Sequence, residues 1–178
     1  FLLSANIAEV ITILAGIIFA RKLLLSPAQL LFINIVTDGL PAIALGSDPA
    51  ARNIMHNLPK KYQQAIVNFR TWVEIIVFGF LMTTALLLLY NNAPPSTAVA
   101  VVFTGMVVFE MARLVDIRTD YKIKWFSNPM LSVAIALSIL LQLAVLHVDG
   151  LAHLFEVNPI TVQQWLFIGI LSILLIVI

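Results

Sequence analysis

Three oxygen-bearing side chains stand close together in the middle of an otherwise apolar stretch of the chain. Asn34, Thr37 and Asp38 are spaced i, i+3 and i+4, which on a helix places them on one face. The stretch around them, residues 29–46, is long and apolar enough to cross a bilayer. A carboxylate near the centre of such a span costs about 2.5–3.5 kcal/mol to insert, so Asp38 is a candidate functional residue.

Pro41 follows these polar residues and disturbs the helix that carries them. Because proline has no N–H, the carbonyl of Thr37 would lose its partner in an α-helix. Leu40 precedes the proline and is disfavoured in helical geometry, whereas Gly39 tolerates the conformation that results. We therefore predict a span unwound around Gly39–Pro41, with freed carbonyls that could coordinate a cation beside the carboxylate. The alternative is a proline kink whose polar side chains hold helices together.

Two further carboxylates fall inside apolar stretches. Glu9 follows Asn6 by three residues, again on one helical face, with an interfacial position as the alternative. Glu110 lies in VVFTGMVVFEMARLV, where Arg113 at i+3 would pair with it if the two formed a structural ion pair. The three histidines show no ligand spacing, and the chain has no cysteine. The donors are thus hard oxygens, which suit calcium, magnesium, manganese, sodium or protons rather than zinc or copper.

Several carboxylates around one pocket favour a divalent ion over a monovalent one. Without the ion, the like charges would repel each other in a poorly solvated place, which favours their protonation. We therefore expect cation transport to be coupled to proton countertransport.

The composition defines the class of protein. Of the 178 residues, 61% are hydrophobic and 11% are charged, whereas soluble domains carry about 25% charged residues. This indicates a polytopic membrane protein in contact with the lipid bilayer and excludes a soluble catalytic core. The net charge of +1 gives no reason to expect nucleic acid as a partner. The chain begins at Phe1 inside an apolar run that lacks signal-peptide features, so we expect the C-terminal part of a longer protein.

The fold class predicted is all-α, a single membrane domain built as a polytopic bundle of six transmembrane helices. Ser26 with Gln29, and Thr161 with Gln164, form capping-box patterns that open the second and sixth spans. Residues 149–161 are predicted to form a loop. The domain covers residues 1–178, and its spans are about 1–20, 28–46, 71–90, 97–115, 130–148 and 162–178.

The distribution of basic residues predicts the orientation of the bundle. Eight of the ten lie in or beside the second and fourth loops, residues 47–70 and 116–129, and the other two lie in the first loop. The positive-inside rule therefore places loops 47–70 and 116–129 in the cytoplasm, and with six spans both chain ends as well. The eight are Arg52, Lys60, Lys61, Arg70, Arg113, Arg118, Lys122 and Lys124, against Arg21 and Lys22.

Several segments resemble a known family, the P-type calcium-transporting ATPases of type IIA, which include the sarcoplasmic-reticulum type and its prokaryotic relatives. NIVTDGLPAIALGSDPAARNIM resembles the sixth span of that family and the loop after it, and FLLSANIAEVITI resembles the fifth span. VVFEMARL is similar to part of the eighth span, and WFSNPML and VQQWL to the starts of the ninth and tenth. The resemblance covers the whole chain in order. It implies the C-terminal transmembrane half of a ten-helix pump. Because these residues show no retrieval tail, we expect a prokaryotic plasma membrane.

The resemblance also implies a set of ion ligands. Two calcium sites are expected, and Asp38 is the one side chain that both share. The second site also needs the family's fourth span, which these residues do not include. ATP and Mg²⁺ would act only through the phosphorylation, nucleotide-binding and actuator domains, which are likewise not in this chain, so it would not hydrolyse ATP alone. The first site would comprise Asn6, Glu9, Thr37, Asp38 and Glu110, and the second Asn34 and Asp38.

One residue departs from the family pattern. Arg113 stands where the sarcoplasmic-reticulum type has an uncharged polar residue, and next to Glu110 it could leave one ion per cycle instead of two.

The function implied is an ATP-driven pump that moves Ca²⁺ out of the cytoplasm, with Mn²⁺ as the other candidate ion. The alternatives are a self-contained secondary cation transporter or channel-like protein, and a membrane scaffold that transports nothing.

Overall fold

The computed structural model describes residues 1–48, 68–120 and 127–177. Helices make up most of these ranges, which contain no β-strand. Two of the helical segments are π-helices, which are wound with i→i+5 hydrogen bonds and are wider than an α-helix. In chain order the helices are α1 (Leu2–Ala15), a first π-helix (Gly16–Ala20), α2 (Pro27–Phe32), a second π-helix (Ile33–Gly39), α3 (Leu40–Leu45), α4 (Phe69–Asn92), α5 (Ala98–Asp120), α6 (Pro129–His147), α7 (Asp149–Leu154) and α8 (Val162–Val177).

The predicted all-α membrane bundle is confirmed. Five helical segments are long and apolar enough to cross a membrane, and α8 is apolar but shorter. Large apolar side chains such as Phe19, Ile18 and Val133 point outward and are 65–76% exposed. An apolar exterior of this extent is typical of a protein surrounded by lipid. The five segments are Leu2–Ala20, Pro27–Leu45, Phe69–Asn92, Ala98–Thr119 and Pro129–His147.

Helix α5 lies at the centre of the bundle. In its membrane-spanning part 78% of residues are buried, against 33–44% in the other four long segments. It packs against α4, α6, α8 and the second π-helix. Phe103 and Phe109 of α5 are completely buried, and Phe103 packs edge-on against Phe32 with ring centroids 5.5 Å apart. Glu110 therefore stands on the most enclosed helix of the described residues.

Helices α1 and α4 approach each other closely. The hydroxyl oxygens of Thr12 and Thr83 lie 3.0 Å apart in a buried hydrogen bond between the two helices. A Cβ placed on Gly79 of α4 would lie 3.1 Å from Ile11 Cδ1 and 3.7 Å from the Ala8 backbone. A glycine and an alanine at this crossing allow the two backbones to approach, as is common between membrane helices.

The second span is not unwound, and the prediction of a break around Gly39–Pro41 is wrong. Gly39 has φ −65° and ψ −50°, and Leu40 has φ −63° and ψ −49°, so both are helical. The disturbance is instead the π-helix Ile33–Gly39, which ends two residues before Pro41. A π-helix accommodates the proline while the span stays helical. Its hydrogen bonds run from i to i+5, so the carbonyls before the proline pair with different N–H groups than in an α-helix.

Two capping boxes are confirmed, and part of a predicted loop is helical. Ser26 and Gln29 bond reciprocally at the start of α2, and Thr161 and Gln164 do so before α8. Within the stretch predicted as a loop, Asp149–Leu154 forms the short helix α7. The sixth expected helix is present as α8.

A buried polar cluster ties together the ends of α3, α5 and α6. Arg118 pairs with Asp48, with Nη2–Oδ1 and Nε–Oδ2 distances of 3.2 Å. Asn128 donates to Asp48 Oδ1 at 2.8 Å and to the Ala44 carbonyl at 2.7 Å. Helix α5 runs to Asp120, into the stretch predicted as a loop. Most of loop 47–70 and residues 121–126 lie outside the described residues, and the cytoplasmic side of both loops stays a prediction.

Candidate cation site

The second π-helix is linked to α1 through an amide and a carboxylate. Asn34 Nδ2 donates to both carboxylate oxygens of Glu9, at 3.1 and 3.2 Å, and also to the Leu30 carbonyl at 2.9 Å. Glu9 is 6% exposed, whereas Asn34 is exposed on the described bundle. The two residues are 25 positions apart in sequence, so this contact fixes the relative position of α1 and the second π-helix.

The same π-helix is linked to α5 through a hydroxyl. Thr37 Oγ1 lies 2.8 Å from Glu110 Oε2 and 2.8 Å from the Ile33 carbonyl. A hydroxyl carries one hydrogen, so it donates to one of these acceptors at a time. Thr37 and Glu110 are almost completely buried. Carboxylates from α1 and from α5 thus both contact the same π-helix.

Asp38 directly follows Thr37 and has no side-chain hydrogen-bond partner among the described residues. Its side chain is 1% exposed, and neither carboxylate oxygen has a partner among the described residues. Glu110 Oε1 is likewise buried and has no hydrogen-bond partner among the described residues. Asp38 is within electrostatic reach of both Glu9 and Glu110. Buried polar atoms are nearly always satisfied, so three buried carboxylate oxygens without donors among the described residues mark this place as a candidate cation site.

The π-helix before Pro41 adds a second candidate for the carbonyl that the proline leaves without a donor. In an α-helix it would be that of Thr37, four residues before the proline. In the i→i+5 register of a π-helix it is that of Val36, five residues before it. Ser138 Oγ of α6 donates to the Val36 carbonyl at 3.0 Å. This carbonyl is therefore satisfied by a neighbouring helix.

Asn6 is placed differently from the other predicted ligands. It lies on α1 one turn before Glu9 and is exposed on the described bundle. Among the described residues, no three acidic or imidazole side chains come close enough together to hold a metal ion by themselves. The carboxylates form a line from α1 through the π-helix to α5, connected by an amide and a hydroxyl. The six predicted ligands, Asn6, Glu9, Asn34, Thr37, Asp38 and Glu110, remain a prediction, with five joined or adjacent in this line.

The structural alternative for Glu110, an ion pair with Arg113, is not formed. The Arg113 guanidinium binds the carboxylate of Asp116, one turn further along α5. Its central carbon also lies 4.7 Å from the ring centroid of Phe78 on α4, a cation–π contact. Two acidic residues flank Arg113 at i−3 and i+3, and it binds the one at i+3.

Two contributors to this region were missed by sequence reasoning. Ser138 carries the donor for the Val36 carbonyl, and Gln142 is fully buried and donates to Thr104 Oγ1 at 3.0 Å. A signal was present, because Ser138 and Gln142 are spaced i, i+4 within an apolar span and so share one helical face. Two polar residues on one face of a membrane helix point to the bundle interior.

The fold and this line of buried carboxylates define a class, the polytopic membrane proteins that carry ionisable side chains inside the bundle. Such residues usually mark an ion pathway. Comparison with known families gives the particular one: the profile described as "Cation transporting ATPase, C-terminus" matches residues 22–178. The chain belongs to this family of cation-transporting ATPases.

Similar curated proteins carry matching names. The "Calcium-transporting ATPase" of Bacillus subtilis is 30% identical over 177 residues, which cover 94% of this chain and 20% of that protein. The "Probable calcium-transporting ATPase" of Trypanosoma brucei brucei is 34% identical over 198 residues, covering 92% and 19%. The "Calcium-transporting ATPase 3, endoplasmic reticulum-type" of Arabidopsis thaliana is 28% identical over 218 residues, covering 100% and 22%. The chain thus spans about a fifth of the length of these relatives, which come from both bacteria and eukaryotes.

Proposed function

We propose that this chain is the ion-binding membrane part of an ATP-driven pump that moves Ca²⁺ out of the cytoplasm. The names of the similar proteins support calcium as the ion. The hard-oxygen donors are those that calcium prefers, and Mn²⁺ is the less favoured alternative.

The observation that carries the proposal is the state of Asp38. It is buried, its carboxylate has no donor among the described residues, and it is within electrostatic reach of Glu9 and Glu110. A structural role would require donors for these oxygens, because an unpaired buried charge is strongly destabilising. A divalent cation would supply the attraction that the Asp38 carboxylate lacks.

The site needs donors from outside this chain. Calcium takes six to eight oxygens, and no three of the described acidic or imidazole side chains come close enough together to hold a metal ion. Asn34 is bound to Glu9 yet exposed on the described bundle, which marks the side where further ligands enter. We infer that N-terminal spans of the same protein cover this side, and that its cytoplasmic domains use ATP and Mg²⁺ to drive the cycle.

Proton countertransport is part of the proposal. After the ion leaves, Glu9, Asp38 and Glu110 would place up to three negative charges in a poorly solvated region. Uptake of protons from the opposite side relieves this repulsion. In this proposal the protons move inward as calcium moves outward. Calcium uptake into proteoliposomes without an opposing pH change, read with a trapped dye, would contradict this step.

Phosphoenzyme formation in the full-length protein tests the proposal. Wild-type protein should incorporate phosphate from labelled ATP only when calcium is present. Asp38→Asn removes a charge-assisted contact worth about 1.5–3 kcal/mol, so the calcium needed should rise by roughly tenfold or more. Asp149→Asn, at the exposed start of α7, is the matched control and should behave as wild type. Phosphorylation that is independent of calcium, or a wild-type calcium dependence in Asp38→Asn, would reject the proposal.

A further inference from the structure

A positively charged side chain, that of Arg113, lies one helical turn from Glu110 of the candidate site. The side chain of Arg113 is 16% exposed. It binds Asp116 and packs over the Phe78 ring. Its Nε is buried and has no hydrogen-bond partner among the described residues. One of its donors is therefore available to another acceptor nearby.

The nearest alternative acceptor is Glu110. It precedes Arg113 by three residues on the same face of α5, and its Oε1 is buried without a donor. Long side chains on a helix usually lean toward its N-terminus, which for Arg113 is the direction of Glu110. The guanidinium lies instead on the C-terminal side, where Asp116 binds it.

We propose that Asp116 is a positioning residue that keeps the Arg113 guanidinium off Glu110 and so leaves that carboxylate available to the transported cation. The inference rests on the proposed cation-binding function. An arginine paired with Glu110 would neutralise one ligand and place a positive charge beside the ion. The Asp116–Arg113 pair therefore sets the affinity of the site for cations and the number of cations that it binds.

Equilibrium binding of radioactive calcium to the purified full-length protein, without ATP, tests this positioning role. Asp116→Asn should weaken calcium binding by roughly tenfold or lose one of the bound ions, a coupling usual for contacting residues. Arg113→Gln combined with Asp116→Asn should restore wild-type binding, because the competing cation is gone. Asp116→Glu, which keeps the carboxylate, should bind as wild type. Glu74→Gln is the matched control, since it breaks an exposed Arg70–Glu74 pair on α4.

A second measurement does not depend on calcium. A hydrophobic carbodiimide modifies protonated carboxyl groups, and mass spectrometry quantifies its adduct at Glu110 in the presence of a chelator. Pairing with Arg113 keeps Glu110 ionised, so Asp116→Asn should lower the adduct by roughly fivefold and the double variant should recover it. The proposal is overturned if Asp116→Asn matches wild type in both assays, or if the double variant is as impaired as Asp116→Asn. Absence of calcium binding in the wild type would reject the proposed function instead, and the carbodiimide result would still decide the role of Asp116.

Discussion

Ser138 on α6 donates a hydrogen bond of 3.0 Å to the carbonyl of Val36 in the second π-helix. This contact joins a helix outside the candidate site to the backbone beside Asp38. It also explains how the span holds a proline at membrane depth without breaking. The π register leaves one carbonyl without a donor, and α6 provides that donor.

Replacing Ser138 with alanine should destabilise the protein. The Val36 carbonyl would be left without a donor in an apolar region, at a cost of roughly 1–2 kcal/mol. The measurement is thermal unfolding of the purified protein in detergent. Thr84→Ala is the control, because the Thr84 hydroxyl is exposed and bonds only to the Phe80 carbonyl of its own helix.

The hydrogen bond from Ser138 to the Val36 carbonyl predicts an energetic coupling between Ser138 and Pro41. Pro41→Ala restores an N–H that the π-helix can use, so Ser138→Ala should cost less in that background than in wild type. Equal costs in the two backgrounds would show that Ser138 does not compensate for the proline.

Gly79→Leu should separate α1 from α4. A Cβ at Gly79 already meets Ile11 at 3.1 Å, so a larger side chain forces the helices apart and should cost about 1–3 kcal/mol. Unfolding in detergent measures it. Gly169→Leu on α8 provides the control, because a Cβ there meets nothing within 4 Å. Comparable losses at both glycines would argue against close packing of α1 on α4.

The Asp48–Arg118 pair should be much more costly to break than an exposed pair. Asp48→Ala leaves Arg118, which is 7% exposed, without this carboxylate, and we expect a loss of roughly 3 kcal/mol in unfolding free energy. Glu74→Ala breaks an exposed pair, and there we expect less than about 1 kcal/mol. If the two variants lose similar stability, the cluster does not tie α3, α5 and α6 together.

Asn34→Asp should make stability depend strongly on calcium. The variant places a carboxylate against both oxygens of Glu9, where the wild type has an amide donor. Repulsion between like charges should lower the melting temperature in a chelator, and added calcium should recover more of it than in wild type. Asn92→Asp, at the exposed C-terminal end of α4, controls for a new charge alone.

The sequence predicted the features that depend on local chemistry. Apolar length gave the helices, and reciprocal side-chain bonds gave the starts of α2 and α8 at Ser26 and Thr161. Asp38 was recognisable because a carboxylate is rare in such a span. These inferences need only neighbours in sequence.

The features that sequence reasoning missed depend on contacts between helices. An apolar pattern does not distinguish α from π winding, and the π-helix before Pro41 is supported by Ser138 from 102 positions away. Arg113 has acidic residues at both i−3 and i+3, and it binds the one at i+3 while it also contacts Phe78 on α4. Such choices are made by tertiary packing rather than by local propensity.

Calcium binding at equilibrium to the full-length protein, with and without the Asp38→Asn substitution, tests the central claim most directly. If the unpaired, buried oxygens of Asp38 are ion ligands, the wild type binds calcium and Asp38→Asn loses most of that binding, while Asp149→Asn binds as wild type. If Asp38→Asn retains the affinity and number of bound ions of the wild type, Asp38 is not the centre of a cation site.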